Sequence, residues 1–226
     1  MRIAGLVPAL DCASSIQEVV RGALQHLDTV MVVDDGSSDA TAKLAADAGA
    51  LVVSHRRNMG KGAALESGFR ALSDLQFTHA LTLDGDGQHL ADQVPRLVSA
   101  CSADQFALIL GDRCLETVDA AARLNRFGNR FANRWVEIAS GLSLPDTQSG
   151  FRVYPLESTL ALGLRARHFA FETEVIVRAA RAGIRIVSVP VKVYYPAPEE
   201  RVTHFRKFVD TVRIIGVVVA LILRIW

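Results

Sequence analysis

Short apolar runs alternate with amphipathic stretches along the first half of the chain. Four of these runs are rich in leucine or β-branched residues, as buried strands are: Ile3 to Val7, Thr29 to Val33, Leu51 to Ser54 and His79 to Leu83. Helical patterns separate them, and a capping box at Ser14 to Gln17 marks the start of the first helix. The alternation predicts an α/β fold, a Rossmann-like, mostly parallel sheet with helices on its faces.

The second half continues the pattern with longer helices. Strands are predicted at Ala107 to Leu110, at Val153 and Tyr154, and on both sides of Pro190. Helices are predicted over residues 92–101, 120–140 and 169–182. The helix over 120–140 pairs an apolar stripe with a basic one, and the apolar members are Leu124, Phe127, Phe131, Trp135 and Ile138.

The fourth strand ends in two aspartates, Asp84 and Asp86, separated and followed by glycine. Parallel α/β sheets bind ligands at the carboxyl ends of their strands. Two carboxylates ~4 Å apart repel by about 4 kcal/mol at an effective dielectric near 20, and a divalent cation relieves that repulsion. Oxygen ligands suit Mg²⁺ or Mn²⁺. The alternative is a polar Asp-Gly turn without a metal.

A second acidic corner, Asp34-Asp35-Gly36, follows the second strand. A carboxylate at this edge can accept hydrogen bonds from a nucleotide base or ribose. Helix capping by Ser38 or Asp39 is the alternative, and capping accounts for Asp39 better than for two consecutive acids after a buried strand.

Two further segments carry cations suited to phosphate. Gly60-Lys61-Gly62 opens a helix with free backbone N–H groups and a cation, although it lacks the Walker pattern. Arg113 follows a strand and either meets a phosphate or pairs with an acid such as Asp112. A solvated lysine in a flexible cap is the alternative for Lys61.

The basic stripe of the 120–140 helix has members three or four residues apart. They are Arg123, Arg126, Arg130 and Arg134. The stripe indicates either a solvated surface or a contact with phosphates of a ligand or of lipid headgroups.

The C-terminal run from Ile214 to Leu223 is continuously apolar and lies between Arg213 and Arg224. As a helix it covers about 15 Å, against a hydrocarbon core of ~30 Å, so it cannot span a bilayer alone. It is typical of a helix at a membrane interface or against a partner protein, and a buried core helix is the alternative.

Composition narrows the class of protein. The chain has 226 residues, a net charge of +1 and three cysteines without metal-ligand spacing. The charge gives no reason to expect nucleic acid, and the cysteines suggest a reducing compartment. The N-terminal apolar run is too short for a signal peptide. We expect a main domain over residues 1–200 and an amphipathic or apolar C-terminal helix over 201–226.

The motifs, in this order, resemble family-2 glycosyltransferases with the GT-A fold, and within them the dolichyl- or polyprenyl-phosphate sugar synthases. The resemblance covers residues 3–195 and rests on five segments: Val-Asp34-Asp35-Gly-Ser-Ser-Asp39, Asn58-Met-Gly-Lys61-Gly, Leu-Asp84-Gly-Asp86-Gly-Gln88-His89, Gly111-Asp-Arg113 and Ser149-Gly-Phe-Arg152. It implies a metal-dependent hexosyltransferase that uses a UDP- or GDP-sugar with Mg²⁺ or Mn²⁺. It also implies a cytoplasmic protein, peripheral at the inner face of the membrane.

The resemblance also assigns residues to roles. Asp35 and Lys61 would bind the donor nucleotide. Asp84 and Asp86 would bind the donor and the metal, with Gln88 as a further metal ligand. The family's first strand ends in Pro-x-x-Asn-Glu, and Pro8 and Asp11 stand there in this chain, where Asp and Cys replace Asn and Glu. The residues assigned to the acceptor or its phosphate are Arg113, Arg126, Arg130, Arg152, Arg201 and Lys207.

The acceptor decides whether a general base is needed. A lipid phosphate is mostly dianionic at neutral pH, since its second pKa is near ~6, and it needs only positive charge to hold it. A hydroxyl acceptor needs a base, for which Asp146 is the first candidate and Glu172 and Glu174 follow. The predicted catalytic set is therefore Asp86, Arg113 and Asp146, with a lipid phosphate as the favoured acceptor. A non-catalytic sugar-nucleotide-binding protein is the alternative from another class.

Three other classes are disfavoured. Residues 8–14 lack the glycine and basic residues of a nucleotidyltransferase, and no G-x-G-x-x-G follows the first strand as in a dinucleotide-binding oxidoreductase. The Asp84 loop has histidine and proline where a calcium-binding loop has glycine and glutamate.

Overall fold

The structure is a computed structural model that describes residues 1–114, 123–194 and 207–223, without the side chains of residues 123–129, 131 and 207–211. The described residues form a sheet of seven strands in the order β3-β2-β1-β4-β6-β5-β7. The strands are β1 Ile3–Ala9, β2 Val30–Asp34, β3 Leu51–Ser54, β4 His79–Thr82, β5 Leu108–Asp112, β6 Arg152–Pro155 and β7 Ile186–Pro190.

Helices connect the strands and cover both faces of the sheet, as the sequence pattern predicts. They are α1 Ile16–Leu24, α2 Thr41–Asp47, α3 Lys61–Asp74, α4 Val94–Ala103, α5 Arg123–Ser140, α6 Leu156–Leu160, α7 Ala170–Arg181 and α8 Lys207–Ile222. One apolar core includes Phe69 of α3 and Phe171 of α7. The other includes Val20 of α1 and Leu97 of α4. The predicted mostly parallel sheet is confirmed.

Strand β6 runs antiparallel to both of its neighbours, β4 and β5. Because of that reversal, the loop before β6 lies at the edge where β1, β2, β4 and β5 end. Arg152, the first residue of β6, is registered with Thr82 of β4 and Leu110 of β5. The sheet thus brings together chain ends that are far apart in sequence.

Two helical details differ from the sequence pattern. The predicted capping box from Ser14 to Gln17 is wrong, because α1 begins at Ile16 and its N-cap residue is Ser15. The Ser15 hydroxyl does not cap the helix and donates to the carbonyl of Gly85 at 2.6 Å. In α5, Ile138 was predicted to face the core but is 53% exposed, whereas Val136 and Ala139 are buried. The predicted members Leu124, Phe127 and Phe131 lie outside the described side chains.

The C-terminal helix α8 packs against α5 and α7. Val218 and Leu221 of α8 are buried, and Arg181 of α7 donates to the carbonyls of Leu221 at 2.8 Å and Ala139 at 3.0 Å. One face of α8 is therefore part of the core, which was the alternative in the sequence analysis. The expected domain boundary at residue 200 lies outside the described residues.

No helix in the described parts of the chain is long and apolar enough to cross a membrane.

Candidate functional site

The predicted acidic corners meet at one edge of the sheet. Asp34 ends β2 and is registered with Ala9, the last residue of β1. Asp84 follows β4, whose last residue Thr82 is registered with Leu6 of β1. Pro8 lies within β1, opposite Val33, so the strand continues one residue past the proline. Gly5 and Ala9 of β1 bond to the β2 side and Leu6 bonds to the β4 side, so position 8 also faces β4. The proline is tolerated there because the pairing of β1 with β4 ends at Leu6 and Thr82, and no ladder bond needs an N–H at residue 8.

Asp84 and Asp86 lie in the turn after β4. The two carboxylate oxygens of Asp86 accept hydrogen bonds from Gln88, from its backbone N–H at 3.0 Å and from its side-chain amide at 2.8 Å. Burial, and then the charge of Asp84, raise the pKa of Asp86 to about 6. Asp86 is thus an ionised carboxylate at neutral pH whose negative charge is poorly compensated.

Lys61, at the start of α3, supplies the nearest positive charge. Its Nζ lies 2.6 Å from Oδ1 of Asp84 and 3.2 Å from Oε1 of Glu172. Burial disfavours the ammonium, but the charges of the two carboxylates outweigh burial and raise the pKa of Lys61 above its usual value. Burial likewise disfavours the Asp84 anion, but Lys61 holds the pKa of Asp84 well below its usual range. Lys61 and Asp84 are therefore both charged.

Gly150 closes this cluster from the loop before β6. A Cβ at residue 150 would lie 2.8 Å from Nζ of Lys61 and 2.9 Å from both carboxylate oxygens of Asp84. Contacts that short do not occur for a real Cβ, so a side chain here would push the lysine and the aspartate apart. The glycine of the Ser149-Gly-Phe-Arg152 motif thus allows the loop to approach the ion pair.

His89 fixes the main chain of Asp84. Its Nδ1 accepts the backbone N–H of Asp84 at 2.9 Å, and its ring stacks on Phe151 with centroids 4.9 Å apart. Burial lowers the pKa of His89 to about 4, so the ring is neutral and carries its proton on Nε2. The sequence pattern assigns His89 no role, because its only signal there is a histidine three residues after Asp86.

Asp35 holds the loop that leads into α3. Its carboxylate accepts the backbone N–H groups of Met59 at 2.9 Å and Gly60 at 2.7 Å. Nδ1 of His55 lies 2.7 Å from the same carboxylate. The predicted contact of Asp35 with a base or ribose remains a prediction, whereas the geometry gives Asp35 a positioning role for Lys61. His55 was missed, because no spacing in the sequence links it to Asp35.

Arg113 and Asp146 form a two-pronged ion pair. Nε of Arg113 lies 2.6 Å from Oδ2 of Asp146, and Nη2 lies 3.0 Å from Oδ1. Burial disfavours the Asp146 anion, but the hydrogen bonds and charge of Arg113 lower the pKa of Asp146. A buried carboxylate of low pKa is a weak base, so this geometry does not favour the general-base role predicted for Asp146.

Arg152 is fully buried, with 0% exposure. Its guanidinium donates to three backbone carbonyls, those of Ser149 at 2.7 Å, Glu172 at 2.9 Å and Thr147 at 2.9 Å. The predicted phosphate contact of Arg152 is therefore wrong: the side chain lies in the interior and ties the loop before β6 to α7.

The remaining predicted site residues lie away from the cluster of Lys61, Asp84 and Glu172, or outside the described residues. Asp11 accepts the backbone N–H of Ser38 at 2.8 Å, which links the ends of β1 and β2. Arg130 is exposed on α5. Arg201 and the side chains of Arg126 and Lys207 lie outside the described residues.

The side chains around Asp84 and Asp86 fit a metal ion only in part. In the described ranges, no three His, Cys, Asp or Glu side chains converge closely enough to hold an ion by themselves. Mg²⁺ is commonly held by one or two carboxylates together with water and substrate phosphates, so Asp84 and Asp86 fit it only in that manner. Charge also fits, since Asp84, Asp86 and Glu172 face the single ammonium of Lys61 among the described residues. Arg113 also acts on Asp84, but its charge is matched by Asp146, which leaves a formal excess of two negative charges.

A solved structure has the same fold as this chain. The structure matches that of glucosyl-3-phosphoglycerate synthase from Mycobacterium tuberculosis in complex with Mg²⁺ and uridine diphosphate, with a TM-score of 0.69 at 21% identity over 99% of this chain and 78% of that one. The predicted GT-A fold is thereby confirmed. Residues 6–157 match the model of Glycosyl transferase family 2, so the chain belongs to that family.

Relatives by sequence agree with the family. The chain is 36% identical over 197 residues to glycosyltransferase AglJ of Haloferax volcanii, covering 86% of this chain and 63% of that protein. It is 30% identical over 208 residues to undecaprenyl-phosphate mannosyltransferase of Micrococcus luteus, covering 84% of this chain and 83% of that protein. The chain thus spans less than two thirds of the Haloferax protein and most of the Micrococcus one.

Proposed function

We propose that this protein transfers a hexose, with inversion, from a nucleoside-diphosphate sugar to a polyprenyl phosphate and uses Mg²⁺ or Mn²⁺. The observation that carries the proposal is the cluster of Asp84, Asp86, Glu172 and Lys61 at the end of β4, with its excess of two negative charges. The name of the Micrococcus relative, an undecaprenyl-phosphate mannosyltransferase, supports the class of acceptor.

Asp84 and Asp86 would hold the metal together with the donor diphosphate. The side-chain amide of Gln88 donates a hydrogen bond to Asp86. The metal, when bound, neutralises charge that develops on the leaving nucleoside diphosphate. Lys61 would supply a second positive charge at the same end of the diphosphate, because its ammonium already lies 2.6 Å from Asp84.

The pairing of the candidate bases favours a phosphate acceptor. Asp146 is paired with Arg113, Glu172 with Lys61, and Glu174 with Arg178. A carboxylate stabilised by a cation is a weak proton acceptor. A phosphate monoester needs no such base, because at neutral pH it is mostly the dianion.

The proposed reaction balances without a proton transfer. An oxygen of the lipid phosphate forms the new bond to the anomeric carbon of the sugar, while the bond from that carbon to the diphosphate oxygen breaks. The products are a lipid phosphodiester and a nucleoside diphosphate. Arg113 and the exposed Arg130 are the described arginines proposed to attract the acceptor phosphate, and a lipid acceptor requires the protein to work at the inner membrane surface.

The test incubates the purified protein with UDP-, GDP- and dTDP-sugars and Mn²⁺ or Mg²⁺, with and without a polyprenyl phosphate. Release of nucleoside diphosphate that needs the lipid phosphate, and that is lost in Asp86→Asn, supports the proposal and names the donor. Release with a hydroxyl acceptor alone would replace the lipid phosphate in the proposal. Donor binding without turnover would indicate a sugar-nucleotide-binding protein and contradict the proposed activity.

A further inference from the structure

Lys61 is shared between two carboxylates that come from different elements. Asp84 lies in the turn after β4, at 2.6 Å from Nζ, and Glu172 lies in the first turn of α7, at 3.2 Å. An ammonium carries three N–H donors, so one lysine can serve both carboxylates at once. The sequence makes Glu172 a candidate general base, but in the structure its carboxylate faces Lys61.

The two carboxylates differ in their exposure. The side chain of Asp84 is 30% exposed, whereas that of Glu172 is 9% exposed and that of Lys61 is 14% exposed. The main chain at Glu172 is also held in place, since its carbonyl accepts Nη1 of Arg152 at 2.9 Å. An ion that arrives from solvent therefore reaches Asp84 more readily than the more deeply buried Glu172.

A metal bound to Asp84 and Asp86 would lie close to the ammonium of Lys61, which pairs with Asp84 in this structure. The oxygen of Asp84 that faces Lys61 is 2.6 Å from the ammonium, so a divalent cation on the same carboxylate would lie close to a like charge. Like charges at this separation repel strongly in a partly buried site. The repulsion is relieved if the ammonium has another carboxylate within reach.

We propose that Glu172 is the alternative partner of Lys61, and that the ammonium shifts its ion pair from Asp84 to Glu172 when a divalent cation binds Asp84 and Asp86. The shift is small because Nζ already lies 3.2 Å from Oε1 of Glu172. Glu172 is thus a positioning residue that keeps Asp84 available to the metal. The inference rests on the proposed function, since it requires a metal at Asp84 and Asp86.

The test is a double-mutant cycle on the affinity for Mn²⁺ alone, measured from the electron paramagnetic resonance signal of free Mn²⁺. The variants are Glu172→Gln, Lys61→Gln and the double variant. Among the described residues, Glu172→Gln leaves Asp84 as the one carboxylate within 4 Å of Lys61, so we expect Mn²⁺ to bind about tenfold more weakly than in the wild type. Lys61→Gln removes the competing ammonium, and we expect tighter Mn²⁺ binding.

The double variant decides between the exchange and a simple effect of charge. If Glu172 acts through Lys61, adding Glu172→Gln to Lys61→Gln changes the affinity by less than about twofold. If Glu172 only adds negative charge near the metal, it weakens binding as much in that background as in the wild type, and the exchange is overturned. Absence of Mn²⁺ binding in the wild type would overturn the metal site of the proposed function as well.

A matched control and a fold check accompany the cycle. Glu66→Gln removes a carboxylate of the same helix as Lys61 that pairs with Arg70 and lies outside the cluster, and its affinity for Mn²⁺ should equal that of the wild type. Thermal melts identify any variant that does not fold. If Lys61→Gln does not fold, Lys61→Met takes its place in the cycle.

Discussion

Two groups of charged residues lie at the same edge of the sheet and differ in how their charges are balanced. In the first, which we call the unbalanced cluster, Lys61 faces the carboxylates of Asp84, Asp86 and Glu172. In the second, the balanced pair, the guanidinium of Arg113 meets the carboxylate of Asp146 with two hydrogen bonds. We propose that the excess negative charge makes the first group a ligand site, whereas in the second group Arg113 matches the charge of Asp146 and ties the loop before β6 to the end of β5.

Arg152 is a motif residue whose role is structural. It belongs to the Ser149-Gly-Phe-Arg152 segment, yet its guanidinium donates hydrogen bonds to three backbone carbonyls. Gly150 of the same segment borders the Lys61–Asp84 ion pair. Two residues of one motif therefore serve different ends, and the structure alone separates them.

The largest expected effect is on the unbalanced cluster. Asp86→Asn should lower the rate of nucleoside diphosphate release by about 10²- to 10³-fold, as loss of a group that stabilises developing charge does. Stability should stay the same or rise, because the substitution removes a carboxylate that Asp84 repels. Rates are compared with thermal melts of the same samples. An active variant, or one that is inactive because it is unfolded, would remove the distinction between the two groups.

Substitution of Arg152 should show the opposite behaviour. Arg152→Met leaves three buried carbonyls without their donor, and we expect a loss of about 4 kcal/mol in the free energy of unfolding. Urea denaturation measures it. The matched control is Arg134→Met, whose side chain is 68% exposed in its ion pair with Glu137 and should change stability by under about 0.5 kcal/mol. Equal stability of both variants would contradict a structural role for Arg152.

A smaller effect is expected for the balanced pair. Asp146→Asn removes the charge partner of Arg113, and we expect a loss of about 2 kcal/mol in the free energy of unfolding. The rate with a lipid phosphate should fall less than tenfold, since no base is needed. Denaturation and turnover are measured on the same variant. A loss of more than 10³-fold in rate at unchanged stability would instead make Asp146 the general base.

The smallest effect is a dependence on pH. Burial and the charge of Asp84 raise the pKa of Asp86 to about 6, and a protonated carboxyl does not bind a metal. Affinity for Mn²⁺ should therefore be constant above pH 7 and fall up to about tenfold per pH unit below 6. Lys61 stays charged and His89, whose pKa is about 4, stays neutral over pH 5 to 7. Asp86→Asn should bind Mn²⁺ weakly at every pH, and a flat wild-type profile would contradict the assignment.

The sequence predicts the strands and the acids at their ends better than it predicts the partners of charged side chains. Asp84 and Asp86 follow a buried strand, so their position at the edge of the sheet comes from local pattern and the rules of parallel sheets. The Glu172 carbonyl that binds Arg152, and the partners of Asp35, come from segments that only the folded topology brings near. Likewise, Ile138 is exposed because α7 and α8 pack on the other side of α5, which the pattern of α5 alone does not specify.

We propose that the unbalanced cluster holds a divalent cation together with the diphosphate of a donor. The decisive measurement is isothermal titration of UDP and of GDP into the wild type and into Asp86→Asn, each with Mn²⁺ and with a chelator. We expect at least one nucleotide to bind the wild type only with Mn²⁺, and that binding to be lost in Asp86→Asn. Nucleotide binding of equal strength with the chelator and in the variant would contradict the claim.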